Sequence, residues 1–382
     1  MPHIKSFLYL LLFSLIMSSC IEEYKPDIAV EDIDLYVIDG RVTDYEEFHS
    51  IYISKSSAIN NLERIPVQGC DVRIYDDNAM VFQALESDDG EYIAHIEKEH
   101  LGIGKAFMLE IITPEGEILR SEYDTLRYCP EIDSVYYIIE DFATEDSDVL
   151  TPGIQFYIDY DGENTSSRNI LFETEETWKY KSPYPLKWIW VDRHLITYET
   201  PDFSKSICWK TINSTAVYTI STSNLSGNSY SHFPLHRVLN TSTKLVMGYS
   251  ILFKQLAISE SAYYYFEKIK DNVVENGGLY ETQPQLLEGN MYNISDPDER
   301  VLGYFFVAGK KEKREFISEV EDLPLATIAL CEDLVEIFIF FLRNQDGPVY
   351  LWLEGGFYLL QDFCVDCTSR GGVLEKPYYW PE

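Results

Sequence analysis

Seven cysteines hold most of the chemistry open to this chain, and their positions divide them. Cys20 closes an apolar run near the N-terminus, where a thiol can take lipid. Cys364 and Cys367 form a Cys-x-x-Cys, a spacing that serves a redox pair, half of a zinc site, or two separate disulfides. A redox pair of this type belongs at a helix N-terminus beside a βαβ unit, and none is legible near these residues. A structural zinc site needs a second ligand pair at suitable spacing, which the sequence does not supply. Disulfide bonding of Cys364 or Cys367 to Cys208 or Cys331 is the expectation, with Tyr378, Tyr379 and Trp380 packing nearby.

Other metal-binding and catalytic patterns fare worse. His232 and His236 have the i, i+4 spacing of a helical metal pair, but Pro234 lies between them and no His-Glu-x-x-His accompanies them. His95 and His100 stand five apart in a loop-like stretch and read as solvated. Asp159-Tyr160-Asp161-Gly162-Glu163 alternates oxygen ligands as a calcium loop does. Its sixth position is Asn164 and its twelfth Ile170, where glycine and glutamate are required, so it reads as a solvated turn. Asp296-Pro297-Asp298-Glu299 reads the same way. No Gly-x-Ser-x-Gly elbow, P-loop or dinucleotide fingerprint occurs. Among 64 acidic residues some carboxylate pair fit for glycoside hydrolysis always exists, and nothing singles one out. The sequence assigns no catalytic residue, no metal and no cofactor, and the expectation is a protein that is not an enzyme.

Lys5, the apolar run from Phe7 to Met17 and Ser18-Ser19-Cys20 have the order of a secretory signal over residues 1–19. The run is shorter than the about 20 residues a bilayer span needs. Small residues before a cysteine resemble a bacterial lipobox, with Met17 where leucine is usual. On that reading Cys20 becomes the acylated, palmitate-bearing first residue of the mature chain, and residues 20–27 form a lipidated tether. The alternative is an ordinary signal peptide with a chance cysteine. Ile21-Glu22-Glu23-Tyr24 sets two carboxylates beside the lipid, which resembles the acidic signal that exports Bacteroidetes lipoproteins to the cell surface. Asp124-Thr125-Leu126 and Asp133-Ser134-Val135 resemble O-glycosylation acceptors, though such triplets arise readily by chance.

Composition bounds the partners. Thirty basic against 64 acidic residues, a formal net charge of −34, excludes a nucleic-acid binder, because no basic stretch could neutralise phosphates. The same charge disfavours docking on anionic lipid, so a covalent anchor must hold the protein at a membrane. Twenty-nine tyrosines, many in alternating stretches, fit cross-strand packing or an aromatic binding surface.

About 360 residues beyond the leader suffice for two globular units with sizeable cores. From 28 to 128, short β-branched and aromatic runs such as Leu35–Ile38, Val72–Tyr75 and Phe107–Ile112 alternate with turn residues. That spacing predicts an immunoglobulin-like β-sandwich. Cys129-Pro130 marks a junction to a larger β-rich domain over 129–382. That domain carries one prominent helix near 259–276, with Ser259 as N-cap, Ala262, Phe266, Ile269 and Val273 along one face, and Asn276-Gly277-Gly278 as its end. Asp333–Leu342 reads as a buried strand.

These residues resemble the Bacteroidetes outer-membrane lipoproteins grouped as the domain of unknown function 4249 family. In the first unit the resemblance lies in Tyr36-Val37-Ile38-Asp39-Gly40, Pro66–Val72 and Pro130–Val135. Further on it lies in Ser259–Lys270, Gln283-Pro284, Gly289-Asn290 and Val301–Phe305, and it ends with Cys364–Cys367, Arg370-Gly371-Gly372 and Lys376–Trp380. Cys70 stands where the family usually has alanine. The resemblance implies a surface lipoprotein that works with a TonB-dependent, SusC-like transporter in nutrient capture, and no known enzymatic activity. A free-standing ligand-binding or adhesion lipoprotein is the alternative, and a hydrolase with an unrecognised site the third reading.

Overall fold

A computed structural model describes residues 34–57, 64–144, 147–274, 287–325, 331, 334–343 and 347–381. The leader, Cys20, Glu22 and Glu23, and Asn276-Gly277-Gly278 lie outside the described residues. The protein is mostly β, with several sheets and, among the described residues, a single α-helix, as the alternating apolar runs require.

One fifteen-stranded sheet organises the molecule. Strand Tyr36–Thr43 sits within it, antiparallel to Phe48–Lys55 on one side and parallel to the long strand Leu302–Ile317 on the other. In Tyr36–Thr43 the even positions Tyr36, Ile38 and Val42 point into a closed apolar core, and the odd positions Asp39 and Arg41 point to the opposite face. The remaining N-terminal strands follow edge to edge through Asp71–Asp76 and Ala106–Ile112 to Ile118–Ser121. The two walls of the expected sandwich are thus one curled sheet. The curl closes where Asp124 Oδ2 accepts the Val307 backbone N–H at 3.0 Å.

The strand Leu302–Ile317 replaces the two separate strands that Val301–Val307 and Arg314–Ser318 predict. Its first half pairs with Tyr36–Thr43 and its second half, in register Ala257↔Gly309 to Tyr249↔Ile317, with Tyr249–Ala257. The expected boundary at residue 129 therefore does not separate two sheets. Met291–Asn293 also returns to pair with Ile118–Ser121. Gly303 sits where the parallel pair forms, at φ +94°, and a side chain there would strike the Ile38 carbonyl. Asn290 fixes the neighbouring backbone, donating to the Phe305 carbonyl at 2.6 Å and accepting from its N–H at 2.9 Å.

The second core lies on the same face of the sheet. There Phe172, Phe253 and Ile251 meet Ile154, Phe156 and Ile158 from a three-stranded sheet of Ser134–Thr144, Ser147–Asp161 and Ser229–Leu239. A satellite five-stranded sheet, including Leu186–Val191 and Val349–Leu353, encloses Trp190 and Leu351. Here the predicted strand Asp333–Leu342 is corrected: only Val335–Ile337 is extended, and Ile339–Leu342 is a 3-10 turn. Val335–Ile337 pairs on one side only, and the following run shows no alternation, so Phe338, Phe340 and Phe341 stand exposed.

The helix, Glu260–Val274, lies on the face opposite both cores. Ser259 Oγ accepts the Ala262 N–H at 3.2 Å, the N-cap contact the sequence predicts. Ala262, Tyr265 and Phe266 cover Tyr304, Phe306 and Leu256 of the sheet. No helix among the described residues is long and apolar enough to cross a membrane.

Candidate functional site

Beside the helix, the outer face of the large sheet opens into a cleft of two lobes. The first, about 390 Å³, is lined by Asp39, Arg41, Glu46, His49, Tyr52 and Phe266 among others. The second, about 350 Å³, shares Arg41, Glu173 and Phe266 with it and adds Thr174, Asn213 and Lys254. Alternation places these side chains. Arg41 and Asp39 are the outward residues of Tyr36–Thr43, and Tyr52 and Tyr304 are the direct cross-strand neighbours of Asp39. Phe266 comes from the helix, so the cleft runs along the edge where helix coverage of the sheet stops.

Most charges here are matched. Arg41 Nη1 lies 2.5 Å from Glu173 Oε1 and forms the divide between the lobes. Burial pulls the Arg41 pKa down, but Glu173 more than offsets it and holds the guanidinium above its ordinary value. Glu46 is bound by Lys310 and Thr43, which outweigh burial and hold its carboxyl below the usual range. Asp39 differs. It keeps access to solvent but stands among protein on several sides, and no described residue forms a salt bridge or hydrogen bond with it. Burial raises its pKa, Arg41 partly counteracts this, and Glu173 adds to the rise.

Two buried polar atoms at the cleft have no protein hydrogen-bond partner. His49, 3% exposed, has a free Nε2 in the first lobe, and burial depresses its pKa to about 4, so the ring is neutral. Thr174 Oγ1, on a residue 1% exposed, is its counterpart in the second lobe. No serine, threonine or cysteine among the described residues hydrogen-bonds to His49, so the cleft shows no activated nucleophile.

The residues singled out in the sequence lie elsewhere. Cys208 bonds Cys367 and Cys331 bonds Cys364, so each cysteine of the Cys-x-x-Cys has a distant partner. Cys70 and Cys129 are unbridged. The Cys331–Cys364 bond lies within the satellite unit, and Cys208–Cys367 ties that unit to Ile207–Asn213 at the edge of the large sheet. Tyr379 donates or accepts a 2.9 Å hydrogen bond with Thr177 and lies under Arg314, and Trp380 packs against Trp209 and Phe316. Tyr378 corrects the expectation. It touches Tyr379 but is 98% exposed, because only one of two adjacent rings can face the sheet.

His232 and His236 lie on the strand Ser229–Leu239, not on a helix. His232 stacks on Tyr157 at 3.8 Å, and His236 Nε2 lies 3.1 Å from buried Glu176. In the acidic stretch, Asp159 accepts from the His232 N–H, Asp161 from Glu163 N–H and Glu163 from Asn228 N–H. These carboxylates fasten loops. Glu299 does the same for Asn293. Among the described residues Glu97, Glu99 and His100 are close enough to share an ion, but two of the three are fully exposed on a short turn. Asp124 is buried and tied to Arg127, Ser259 and Val307. The sequence missed the cleft because its residues are scattered from 39 to 266. The outward Asp39 and Arg41 of an otherwise apolar strand were the available signal.

A family model described as "Domain of unknown function (DUF4249)" matches residues 21–314. No curated protein matches the chain. Among solved structures, trypsin-activated alpha-2-macroglobulin from Escherichia coli is 8% identical over 62% of this chain and 15% of its own, with a TM-score of 0.18. A DUF4785 family protein from Legionella pneumophila is 10% identical over 52% of this chain and 56% of its own, with a TM-score of 0.16. This chain therefore matches less than two thirds of the length of either structure.

Proposed function

The chain belongs to the DUF4249 family, and from that premise we propose that it is a surface-exposed outer-membrane lipoprotein that captures a small ligand without turning it over. It does so as an accessory of a TonB-dependent, SusC-like transporter. The cleft carries this reading. Its ion pairs are internally matched, its two buried polar atoms await a partner, and it lacks a nucleophile poised by a base. The anchor rests on the sequence at Cys20. Fourteen positions separate Cys20 from Asp34, enough chain to reach at most roughly 50 Å, so the folded body stays close to the membrane that holds the lipid.

Affinity purification from intact outer membranes tests the partnership. A transporter is expected to co-purify, and recovery of the lipoprotein alone, under conditions that preserve other transporter complexes, removes that partner. Cys20→Ala is expected to abolish the lipid mass and release the protein from the membrane fraction. Unchanged membrane association would show that the leader has another meaning. Exposure is a separate matter, because acylation alone could leave the protein facing the periplasm. Replacing Glu22 and Glu23 together with alanine is expected to reduce protease accessibility on intact cells, and equal accessibility would take those carboxylates out of the export signal.

A further inference from the structure

We propose that the first lobe of the cleft binds a small organic cation, a primary ammonium or guanidinium group on a hydrogen-bonding body, with Asp39 as its counter-ion. This rests on the ligand-capture reading above and names the class of ligand.

Asp39 is the one charged residue lining the first lobe that has no ion-pair partner, since Arg41 is held by Glu173 and Glu46 by Lys310. Asp39 is exposed at the wall of the cleft, and an unpaired carboxylate there favours a cation that can make charge-assisted hydrogen bonds to it. The walls suit a cation as well. Tyr52, which lines the lobe, is the direct cross-strand neighbour of Asp39. Aromatic faces attract ammonium and guanidinium groups. The platform already does so once: the Arg64 guanidinium stands 5.0 Å over the Tyr52 ring without forming a salt bridge to Asp39. Neutral His49 offers a buried hydrogen-bonding nitrogen to the ligand's body.

Two competing classes fit less well. An anion would meet the unpaired Asp39 carboxylate, with Arg41 held by Glu173 and the Arg64 guanidinium seated over Tyr52, against the field of a chain with net charge −34. A divalent metal requires several oxygen ligands converging within bonding distance, and this lobe has a single uncommitted carboxylate. A volume of about 390 Å³ matches a ligand the size of an amino sugar or a short diamine.

The test is calorimetric titration of the detergent-solubilised full-length protein with agmatine, putrescine and glucosamine. Their neutral counterparts 1,4-butanediol and glucose, and calcium chloride, serve as comparisons. At least one amine is expected to bind saturably, with affinity falling by about tenfold or more in Asp39→Asn, the loss of one charge-assisted contact. Ser50→Lys, which tethers an ammonium in the same lobe, is expected to block the amine while leaving the thermal midpoint unchanged. Glucose binding as tightly as glucosamine, amine binding indifferent to Asp39→Asn, calcium binding alone, or no binding of any amine would each overturn the proposal. Co-purification reports separately: a transporter recovered with a protein that binds no amine keeps the partnership and removes only the ligand class.

Discussion

Replacing Cys208 with serine is expected to lower the thermal midpoint by roughly 5–10 °C under non-reducing conditions. The Cys208–Cys367 bond joins residues 159 apart, and closing a loop of that length removes about 5 kcal/mol of unfolded-state entropy in the chain-entropy model. Cys331–Cys364, with a separation of 33, contributes about 4 kcal/mol by the same relation. The longer bond matters more because of what it joins. Cys367 lies at the root of the tail, whose Val373 exchanges both backbone hydrogen bonds with Trp209, next to Cys208. Tyr180 donates to the Cys367 carbonyl at 2.7 Å, and Cys367 N–H donates to Lys205. Without the bond these contacts must hold tail and satellite unaided. Melting wild type and Cys208→Ser with and without reductant is the measurement. A variant within a degree or two of wild type would show that the backbone contacts suffice. Mass spectrometry of non-reduced protein is expected to return the 208–367 and 331–364 peptide pairs.

Glu176→Gln is expected to destabilise the protein by about 3 kcal/mol at neutral pH and to reduce its sensitivity to acid. Glu176 projects from Asn169–Lys181 into the second core, its side chain 3% exposed. Lys244 Nζ reaches both its oxygens at 2.8 Å, Tyr249 donates at 2.9 Å and His236 lies at 3.1 Å. Burial works to raise its pKa, but His236 and Lys244 overcome that and bring it from 4.5 to about 2. Because the folded value lies below the unfolded one, the stabilisation is present above about pH 4.5 and is lost as pH falls toward 2. The shift corresponds to on the order of 3 kcal/mol. Denaturant unfolding of wild type and variant across this window is decisive. Wild type is expected to lose more stability across this window than Glu176→Gln, and parallel curves would place the acid sensitivity elsewhere. The cluster also fastens the three-stranded sheet, through His236, to the large sheet, through Glu176.

Much of the scaffold was legible along the chain because the signals are local. Period-two alternation marked Asp71–Asp76, an apolar run before a turn marked Ala106–Ile112, and a serine before an apolar stripe with helical spacing marked Glu260–Val274. The four bonding cysteines were legible as candidates, since a pair with no zinc complement and no redox context favours long-range bonds, but which partner each takes was not. Local signals failed where neighbours decide conformation. Phe338–Leu342 has the composition of a strand but no second strand to pair with, so it turns instead. Leu302–Ile317 has an interior of Lys310–Arg314 that looks like a break between strands. Strand partners on both halves keep it extended, and Glu46, Glu131 and Glu175 neutralise its cations.

By itself the sequence determined a mainly β chain, the start of its helix at Ser259, and the four cysteines from which the long-range bonds are drawn. Each follows from residue type or from spacing within a dozen positions, where covalent geometry fixes which side chains share a face. Tertiary structure alone decided the cleft. Asp39, His49, Tyr52, Glu173 and Phe266 meet because a parallel pairing joins strands some 265 positions apart and a helix covers only part of the sheet's outer face. That juxtaposition depends on register and on where coverage stops, and a linear pattern encodes neither.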